Sequence, residues 1–397
     1  MANAFLTPTA VTRAALAILH QKLNFIGNIN RQYDDSFAKS GAKIGDSLKI
    51  RLPNQYTVRT GATLSTQDTT ETSTTLQIAT QKGVDLNFTS VDLTLNLQDF
   101  SERILEPAMS VLAANIEADA MSMYKNVWNV IDNDVAAISY LNVMQGRQRL
   151  NEELAPQDGK RVALLSPTHN TKLLDALKGL FHDSGAIKEQ YREGMMGRTG
   201  GFDFYENTHV SDHTTGTAAK TTGYLSNGAT QSGASITVDT GTTSFLIGDV
   251  VTFAGVFRVH PETKVSTGVL QQFVITANSG TSATTLAISP AIVATGATQN
   301  VSNTVADNSA VVKVAAGASE LINSSMVFHK DAFTFATADL VMPQGVDFSA
   351  REVMDGLSMR IVRQYDISND KFPCRLDILY GYKAIRPQLA CRIHADA

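Results

Sequence analysis

Three residues that could bind a metal ion lie within one short polar stretch, His209, Asp212 and His213. Zinc takes imidazole and carboxylate ligands, and a catalytic zinc site keeps three protein ligands with one open position. Threonine, glycine and alanine follow the three residues, a composition typical of a linker. We therefore expect solvated loop residues here, with no metal and no other cofactor.

The sequence patterns of other catalytic sites are also missing. A nucleophile elbow needs Gly-x-Ser-x-Gly after a strand, whereas the pairs Ser232-Gly233 and Ser279-Gly280 fit turns. The glycine-rich segment 194–201, GMMGRTGG, lacks the Lys-Ser or Lys-Thr ending of a phosphate-binding loop. His169 and His182 are isolated histidines, which are more often structural than catalytic. The sequence predicts no catalytic residue and no enzyme.

Composition limits the classes of protein that the chain can belong to. Its 397 residues, 43% of them hydrophobic and 18% charged, indicate a globular protein of two or three domains. A net charge of -5 without a run of Lys and Arg argues against a dedicated nucleic-acid binder. No apolar run approaches the ~20 residues of a membrane span, and no signal-peptide pattern follows Met1, where we expect the chain to begin. The two cysteines, Cys374 and Cys391, make no disulfide framework, which favours a reducing, cytoplasmic site of synthesis.

The elements that would position side chains are organised around one long helix. Between residues 105 and 127, apolar residues recur every three or four positions, the pattern of a buried helical stripe. Acidic residues precede this stripe and Pro107 suits a first helical turn. The pattern predicts a helix over 101–129, roughly 40 Å long at 1.5 Å per residue. The stripe consists of Leu105, Met109, Leu112, Ile116, Ala120, Met123 and Val127.

An N-terminal helix and a hairpin precede this central helix. A helix is predicted over 9–23, and alternation of polar and apolar residues predicts strands at 47–52, 75–78 and 84–88. The segment 53–74 between the first two strands is rich in Thr, Ser, Gly and Gln. A loop of that length inside a compact domain is uncommon, which favours an extended hairpin projecting from the body. The hairpin is either a loose surface feature or an arm that packs on a neighbouring copy.

Strands and helices alternate after the central helix. Helices are predicted over 137–150 and 168–181, the second capped by Thr168, with a buried strand at 161–166 between them. An extended segment at 201–205 follows, and the alternation predicts a mixed α/β body.

The composition changes at about residue 211 and changes back at about 319. Thr, Ser, Ala, Gly and Val dominate this region, and short strands recur between turns, which predicts a compact all-β barrel or sandwich. Because the region lies between two α/β segments, we interpret it as a domain inserted into a host domain. The predicted strands are 235–238, 249–253, 272–276, 285–289 and 310–314.

Four motifs, in this order along the chain, carry a resemblance to a known family. They are Gly201-Phe-Asp203, the segment 247–255 (IGDVVTFAG), the segment 327–332 (VFHKDA) and the segment 374–387 (CRLDILYGYKAIRP). With the arm, hairpin and central helix, the chain resembles tailed-bacteriophage major capsid proteins of the HK97-type fold. Within these it most resembles P22-like coat proteins, which carry an inserted β-domain.

The resemblance implies an α+β fold of the HK97 type with an inserted barrel-like domain. It places an N-terminal arm at 1–45, an E-loop hairpin with flanking P-domain strands at 46–98, and the spine helix of the P-domain at 99–135. The first part of the A-domain would occupy 136–215, the inserted all-β domain 216–322, and the return to the A- and P-domains 323–397.

The resemblance also implies a function and partners. The chain would self-assemble through a procapsid into hexamers and pentamers of the icosahedral shell around the double-stranded DNA of a tailed phage. It would be made in the bacterial cytoplasm and located in the virion. Its expected partners are other copies of itself, a scaffolding protein, a portal protein, a candidate decoration protein, and packaged DNA held by weak non-specific contacts, with no membrane. The alternative is a structural protein of a phage tail or an adhesin, which would not explain the long helix.

Two departures from the family and one charge pattern add specific expectations. No long helical prefix precedes the arm, so a separate scaffolding protein is expected. The hairpin between Pro53 and Thr80 contains no Lys, the residue that cross-linked shells of this fold require. Mature particles should therefore show no covalent ladders in denaturing gels. Arg51 and Arg59 on the hairpin are predicted to pair with acidic residues of adjacent subunits.

Overall fold

A computed structural model describes residues 8–33, 47–64, 66–68, 71–89, 105–177, 197–210, 212–221, 223–354, 356–369 and 371–396. Within these residues the chain is a mixed α+β protein in which strands predominate. The helices are α1 (Pro8–Lys22), α2 (Asn24–Gly27), α3 (Glu106–Met121), α4 (Tyr140–Glu152) and α5 (Pro167–Leu177). The strands are β1 (Asn30–Tyr33), β2 (Ser47–Arg51), β3 (Ser73–Gln77), β4 (Thr80–Thr89), β5 (Val130–Ala137), β6 (Arg161–Leu165), β7 (Arg198–Thr199), β8 (Phe202–Glu206), β9 (Asp212–Thr214), β10 (Tyr224–Ser226), β11 (Gly233–Asp239), β12 (Val250–Phe253), β13 (Phe257–Val259), β14 (Ser266–Leu270), β15 (Phe273–Ile275), β16 (Thr285–Ile292), β17 (Ala310–Lys313), β18 (Leu321–His329), β19 (Phe333–Ala338), β20 (Phe348–Met354), β21 (Leu357–Arg363), β22 (Lys371–Ala384) and β23 (Ala390–Asp396).

The chain forms two compact units, each assembled from separate stretches of sequence. Unit 1 comprises 1–51, 73–121 and 333–383, and unit 2 comprises 52–72, 122–332 and 384–397.

Unit 1 is built on a sheet with the strand order β1-β19-β22-β21-β20, in which β4 also pairs with β22. Helix α1 packs on β20 and on α3. Its buried face contains Ala15, Leu16 and Leu19, as predicted for a helix over 9–23. The edge of the Phe25 ring meets the Phe333 ring, with centroids 5.5 Å apart. The N-terminal helices are therefore part of the packed core of this unit.

The central helix is shorter than predicted. Every residue of the predicted stripe is buried, but α3 ends at Met121 and is about 24 Å long at 1.5 Å per residue. A 3₁₀ turn, Ser122–Asn126, follows it, and the chain then becomes strand β5. The helix over 101–129 is wrong beyond residue 121, because the chain from Val130 onward is extended and pairs with β23. Residues 101–104 of the predicted helix lie outside the described residues.

Two other helix boundaries are corrected. The predicted start of a helix at Ala137 is wrong, because Ala137 ends β5 and α4 begins at Tyr140, after Ser139. The Ser139 backbone N–H donates to the Asn142 carboxamide oxygen over 2.8 Å, which fixes that start. The predicted Thr168 cap is also wrong: the His169 backbone N–H donates to the hydroxyl of Ser166, two residues before Thr168, over 3.2 Å. Positions 178–181 of this predicted helix lie outside the described residues.

Unit 2 contains a sheet with the strand order β5-β23-β18-β6-β8-β7, in which β9 also pairs with β18. Strands β5 and β23 run parallel, as do β6 and β8, whereas β18 is antiparallel to β23, β6 and β9. The five residues of β6 are all buried, as predicted for a strand at 161–166. Helix α4 packs on β23 and β18 of this sheet.

The Thr- and Ser-rich region forms a closed barrel with the order β10-β11-β16-β15-β12-β17. Its core consists of apolar side chains from all six strands. The predicted strands match β11, β12, β15, β16 and β17 to within one to three residues. Gly241 borders this core where a Cβ atom would lie 2.1 Å from the Tyr224 ring, so the close approach requires glycine.

The chain enters and leaves the barrel by adjacent strands of the unit 2 sheet. Strand β9 precedes the barrel and β18 follows it, and the two pair with Thr214 opposite Leu321. We call residues 212–216 and 317–321 the neck. Their pairing continues toward the barrel, because the Thr215 backbone N–H donates to the Glu320 carbonyl over 2.9 Å and the Ser319 N–H donates to the Gly216 carbonyl over 3.0 Å. This geometry is that of an insertion whose two ends lie side by side.

Candidate functional site

The hairpin between β2 and β3 exposes apolar side chains along its length. Strands β2 and β3 pair with Ser47 opposite Gln77. Beyond them, the Gln67 side-chain amide forms two hydrogen bonds with the backbone of Thr57. Val58 is 93% exposed and Leu64 is 77% exposed. Residues 65, 69 and 70 lie outside the described residues.

The two arginines predicted to make subunit contacts differ in their local surroundings. Arg51 ends β2, opposite Ser73, and is exposed. Arg59 is also exposed, and its guanidinium donates to the carbonyls of Gly61 and, over 3.2 Å, of Thr63. Arg59 therefore fixes the shape of the hairpin tip. The proposed pairing of both arginines with acidic residues of a neighbouring subunit stays a prediction.

The three residues considered as metal ligands do not converge. The Asp212 carboxylate accepts a hydrogen bond from the Asn323 amide over 2.9 Å, and the His209 backbone N–H donates to Asn207. His213 is buried, so its assignment as a solvated loop residue is wrong. It belongs to β9, which pairs with β18. Across the described parts of the chain, no group of three His, Cys, Asp or Glu residues could hold a metal ion.

The other histidines and the cysteines also have structural surroundings. A His169 ring nitrogen lies 2.7 Å from the Ser325 hydroxyl, and the histidine is fully buried. His182, together with residues 194–196 of the glycine-rich segment, lies outside the described residues. Cys374 and Cys391 are free and buried, and burial raises the pKa of these thiols to about 11 and about 12. Neither thiol is therefore activated as a nucleophile at neutral pH.

A buried hydrogen-bond network connects the neck to the barrel. Asp249, at the start of β12, accepts hydrogen bonds from the backbone N–H groups of Gly216 (3.0 Å) and Leu246 (2.8 Å). A third bond comes from His213 Nε2, 3.0 Å from the carboxylate, and the other His213 nitrogen lies 3.2 Å from the Tyr124 hydroxyl. One carboxylate thereby joins two residues of the neck, His213 and Gly216, to the barrel.

The charge state of this network follows from its hydrogen bonds. Burial raises the pKa of Asp249, but the bonds from His213, Leu246 and Gly216 outweigh burial and leave this pKa below its ordinary value. Burial lowers the pKa of His213 despite the bond to Asp249. The stable arrangement is therefore an ionised Asp249 that accepts from neutral His213, with the Tyr124 hydroxyl donating to the second ring nitrogen.

A second set of contacts holds the barrel against strand β5. The Gln272 side-chain amide accepts from the Val130 backbone N–H over 2.9 Å and donates to the Val130 carbonyl over 3.0 Å, which imitates a neighbouring strand. Trp128 packs with Val130, and with Val250 and Val274 of the barrel. Because Trp128 is the single tryptophan in the sequence, its fluorescence reports on this contact.

Lowering the pH below about 6.5 is expected to destabilise unit 2. Burial lowers the pKa of His169, His213 and His394, whereas an unfolded histidine has a pKa of ~6.5. The unfolded chain then binds more protons, so stability is complete above about pH 6.5 and is lost as the pH falls. The slope is at most about 1.4 kcal/mol per pH unit for each histidine. Urea unfolding followed by Trp128 fluorescence at pH 7.5, 6.5 and 5.5 measures it, and a constant free energy of unfolding across this range would contradict the prediction.

Sequence reasoning missed the buried charged residues of this network. Asp249 is a single acidic residue at the end of the apolar segment 249–253, a position typical of a solvated strand end. Arg392, whose guanidinium carbon lies 5.9 Å from the centre of the Tyr124 ring, is in a strand whose alternation of polar and apolar residues is typical of partial exposure. A signal was present in the segment 391–395, where two basic residues alternate with Cys391, Ile393 and Ala395 in an otherwise apolar strand. That pattern does not reveal that the barrel covers this face of the strand.

Comparisons with known proteins identify similar sequences and structures. The profile of a family described as P22 coat protein (gene protein 5) matches residues 28–392. No match was found among curated proteins. A solved structure from Mycobacterium phage Che8 is 12% identical, with a TM-score of 0.47 over 94% of this chain and 90% of that one. The mature capsid of bacteriophage PhiM1 is 10% identical, with a TM-score of 0.44 over 94% and 86%. The CUS-3 coat protein I-domain is 26% identical, with a TM-score of 0.19 over 24% of this chain and 96% of that domain.

Proposed function

The chain belongs to the P22 coat protein family, and from that premise we propose that it is the major capsid protein of a tailed phage. Its copies form the icosahedral shell that encloses the double-stranded DNA genome. The observation that carries this function is the family match over residues 28–392, which covers most of both compact units. The chain is thus a structural protein of the virion.

We propose that the fold divides as an HK97-type subunit. The arm is assigned to 1–45, the E-loop hairpin and its flanking strands to 46–98, the spine helix region to 99–135, the A-domain to 136–215, the inserted domain to 216–322, and the return to 323–397. The paired strands at the neck support the two boundaries of the inserted domain. Within the region 99–135, helix α3 ends at Met121 and residues 130–135 belong to β5.

We propose that the hairpin packs on a neighbouring copy of the chain. Tyr56, Val58 and Leu64 are all more than half exposed within 52–72. Apolar side chains on a thin hairpin gain burial only from another surface, at about 25 cal/mol per Å² of apolar area removed from water. A standard interface of about 1,600 Å² supplies such a surface. This observation favours the arm over the loose surface hairpin.

The remaining partners follow from the family and from the charge of the chain. We propose hexamers and pentamers of this subunit, a separate scaffolding protein, a portal protein and, as a further candidate, a decoration protein. With a net charge of -5, contacts with packaged DNA are expected to be weak and non-specific. Synthesis and assembly take place in the bacterial cytoplasm, and the protein has no catalytic activity. None of the described helices is long and apolar enough to cross a membrane.

Electron microscopy of the protein expressed with and without the neighbouring scaffolding gene tests this function. Uniform closed shells in the presence of the second protein are the expected result. Fibres or tubes under both conditions would instead support the alternative of a tail or adhesin protein. Closed shells from the coat protein alone would support its function as a capsid protein but would show that assembly needs no scaffolding protein.

Reversing the charge of the hairpin arginines is expected to reduce assembly without unfolding the subunit. Arg51→Glu and Arg59→Glu place like charges opposite the acidic residues proposed on the neighbour. Each exposed pair contributes only ~0–1 kcal/mol, but every subunit repeats it. Shell yield by sedimentation should fall, and Lys49→Glu on β2 is the matched control for net charge. Equal yields from all three variants would exclude these arginines as subunit contacts.

A further inference from the structure

A fully buried guanidinium on strand β23 has no counter-ion in contact with it. Arg392 is 0% exposed, and one terminal nitrogen, Nη2, donates to the Gly248 carbonyl over 2.8 Å. Its guanidinium carbon lies 5.9 Å from the centre of the Tyr124 ring. The Nε and Nη1 groups have no hydrogen-bond partner among the described residues, and no described carboxylate forms an ion pair with this side chain.

Two further polar side chains without partners lie on the same face of the sheet. His394 follows Arg392 by two positions on β23, so both side chains project to one face. Ser324 of β18 is directly opposite His394 in the register, on that same face. Both His394 ring nitrogens and the Ser324 hydroxyl are buried without a hydrogen-bond partner in the described structure. Three neighbouring side chains thus leave polar atoms unsatisfied in one place.

The nearest buried carboxylate does not supply the missing partner. Asp249 already accepts bonds from His213, Gly216 and Leu246. An unpaired buried charge costs several kcal/mol, and buried charges in proteins are normally paired. The unsatisfied groups are mainly donors: the two guanidinium nitrogens, one protonated nitrogen of the imidazole, and a hydroxyl. A donor-rich, positively charged and closed site suits a small anion better than it suits water.

We propose that a chloride-sized monovalent anion binds between the sheet and the barrel, held by Arg392, His394 and Ser324. The anion supplies the negative charge that the guanidinium lacks and accepts hydrogen bonds from all three side chains. Arg392 also binds Gly248, at the turn that leads into β12 of the barrel. The bound anion therefore stabilises the junction of the inserted barrel with its host sheet. This proposal rests on the geometry of unit 2 and is independent of the function proposed above.

Thermal unfolding in different sodium salts tests the site in the full-length subunit. Trp128 fluorescence is followed in sodium chloride, bromide and gluconate at equal ionic strength. Gluconate is the control salt, because this anion is too large to enter the site. A ligand that binds only the folded state raises the unfolding temperature as its concentration exceeds Kd, by about 5 °C at a hundredfold excess. We expect that rise in chloride and bromide but not in gluconate. The same unfolding temperature in all three salts would overturn the proposal.

Matched variants separate the site from a general effect of salt. Arg392→Met removes the charge but keeps the length of the side chain, and it should abolish the difference between chloride and gluconate. Arg258→Met is the control: this buried arginine lies 2.5 Å from Glu152 and 3.4 Å from Glu153. The control variant should be less stable but should keep the full chloride effect. A chloride effect that persists in Arg392→Met would overturn the proposed site.

Bromide also allows a direct observation that does not depend on the variants folding. Crystals of the wild-type subunit grown in bromide should show an anomalous peak between Arg392 and His394. Ser324→Ala, a small change that keeps the charge, should lower the bromide occupancy and weaken the chloride dependence several-fold. Water density at this position without an anomalous peak would show that the site holds solvent and would overturn the proposal.

Discussion

Replacing Asp249 by alanine is expected to lower the free energy of unfolding of unit 2 by roughly 3–5 kcal/mol. The substitution removes the acceptor for three buried donors, on Gly216, Leu246 and His213. Each buried donor left without a partner costs about 1–3 kcal/mol. The bonds lost are charge-assisted, because their acceptor is the ionised Asp249 carboxylate. Because these donors lie in the neck and in the barrel, the loss should affect the junction of the two before the barrel core.

Urea unfolding followed by Trp128 fluorescence measures this effect, since Trp128 packs on Val250 and Val274 of the barrel. Asp307→Ala is the matched control: Asp307 is an exposed barrel aspartate that accepts one backbone bond, from Gly228. Removing an exposed bond should cost under about 1 kcal/mol. Equal losses in free energy of unfolding for the two variants would show that the Asp249 carboxylate stabilises unit 2 no more than an exposed barrel aspartate does.

A conservative substitution distinguishes the acceptor from the charge. Asp249→Asn keeps one carbonyl oxygen but directs an amide NH₂ at one of the three donors. Its free energy of unfolding should therefore fall between those of wild type and Asp249→Ala. The dependence on pH caused by His213 should extend to lower pH, because the Asp249 carboxylate raises the pKa of His213 against burial. A loss from Asp249→Asn as large as that from Asp249→Ala would assign the stabilisation to the charge itself.

Local patterns in the sequence predicted much of the secondary structure, because each depends on neighbouring residues. The alternation at 47–52 corresponds to β2, and the apolar run at 161–166 corresponds to the buried strand β6. The 3.6-residue period of the central stripe corresponds to buried residues of α3. The same stripe failed to predict where the helix ends. Met123 and Val127 continue the period, but Met123 lies in a 3₁₀ turn and Val127 in the connection to β5, where both are as buried as in a helix. The burial of these two side chains therefore does not distinguish a helical backbone from a 3₁₀ turn or an extended segment.

The network at the neck could not be predicted, because its members are distant in the sequence. His213, Asp249 and Arg392 come from β9, from the start of β12 and from β23, and only the insertion geometry brings them together. The small, polar neighbours of His213 in the sequence predict a solvated linker instead. The barrel covers the polar face of β23, so the usual inference from alternation to solvent exposure fails there. Composition predicted the presence of the barrel but not the surface that it buries.

Replacing Glu117 by alanine is expected to destabilise unit 1 by about 3 kcal/mol and to prevent normal assembly. Glu117 lies on α3 and is 1% exposed. Its carboxylate accepts from the backbone N–H of Phe25 and, over 3.3 Å, from that of Ile26. Alanine leaves both buried N–H groups without this acceptor, at about 1–3 kcal/mol each. The N-terminal segment should then separate from the helix, because the same contact fixes where the chain turns after α1.

Hydrogen exchange resolves this effect, because the single tryptophan lies in unit 2 and does not report on unit 1. A loss of about 3 kcal/mol corresponds to a decrease in protection of roughly 150-fold at Phe25 and Ile26. Glu106→Ala, an exposed glutamate in the first turn of α3, is the matched control and should leave protection there unchanged. Reduced protection at the N-terminal segment together with normal shells would show that destabilisation of unit 1 does not prevent assembly. The carboxylate would then stabilise the subunit without being needed for assembly.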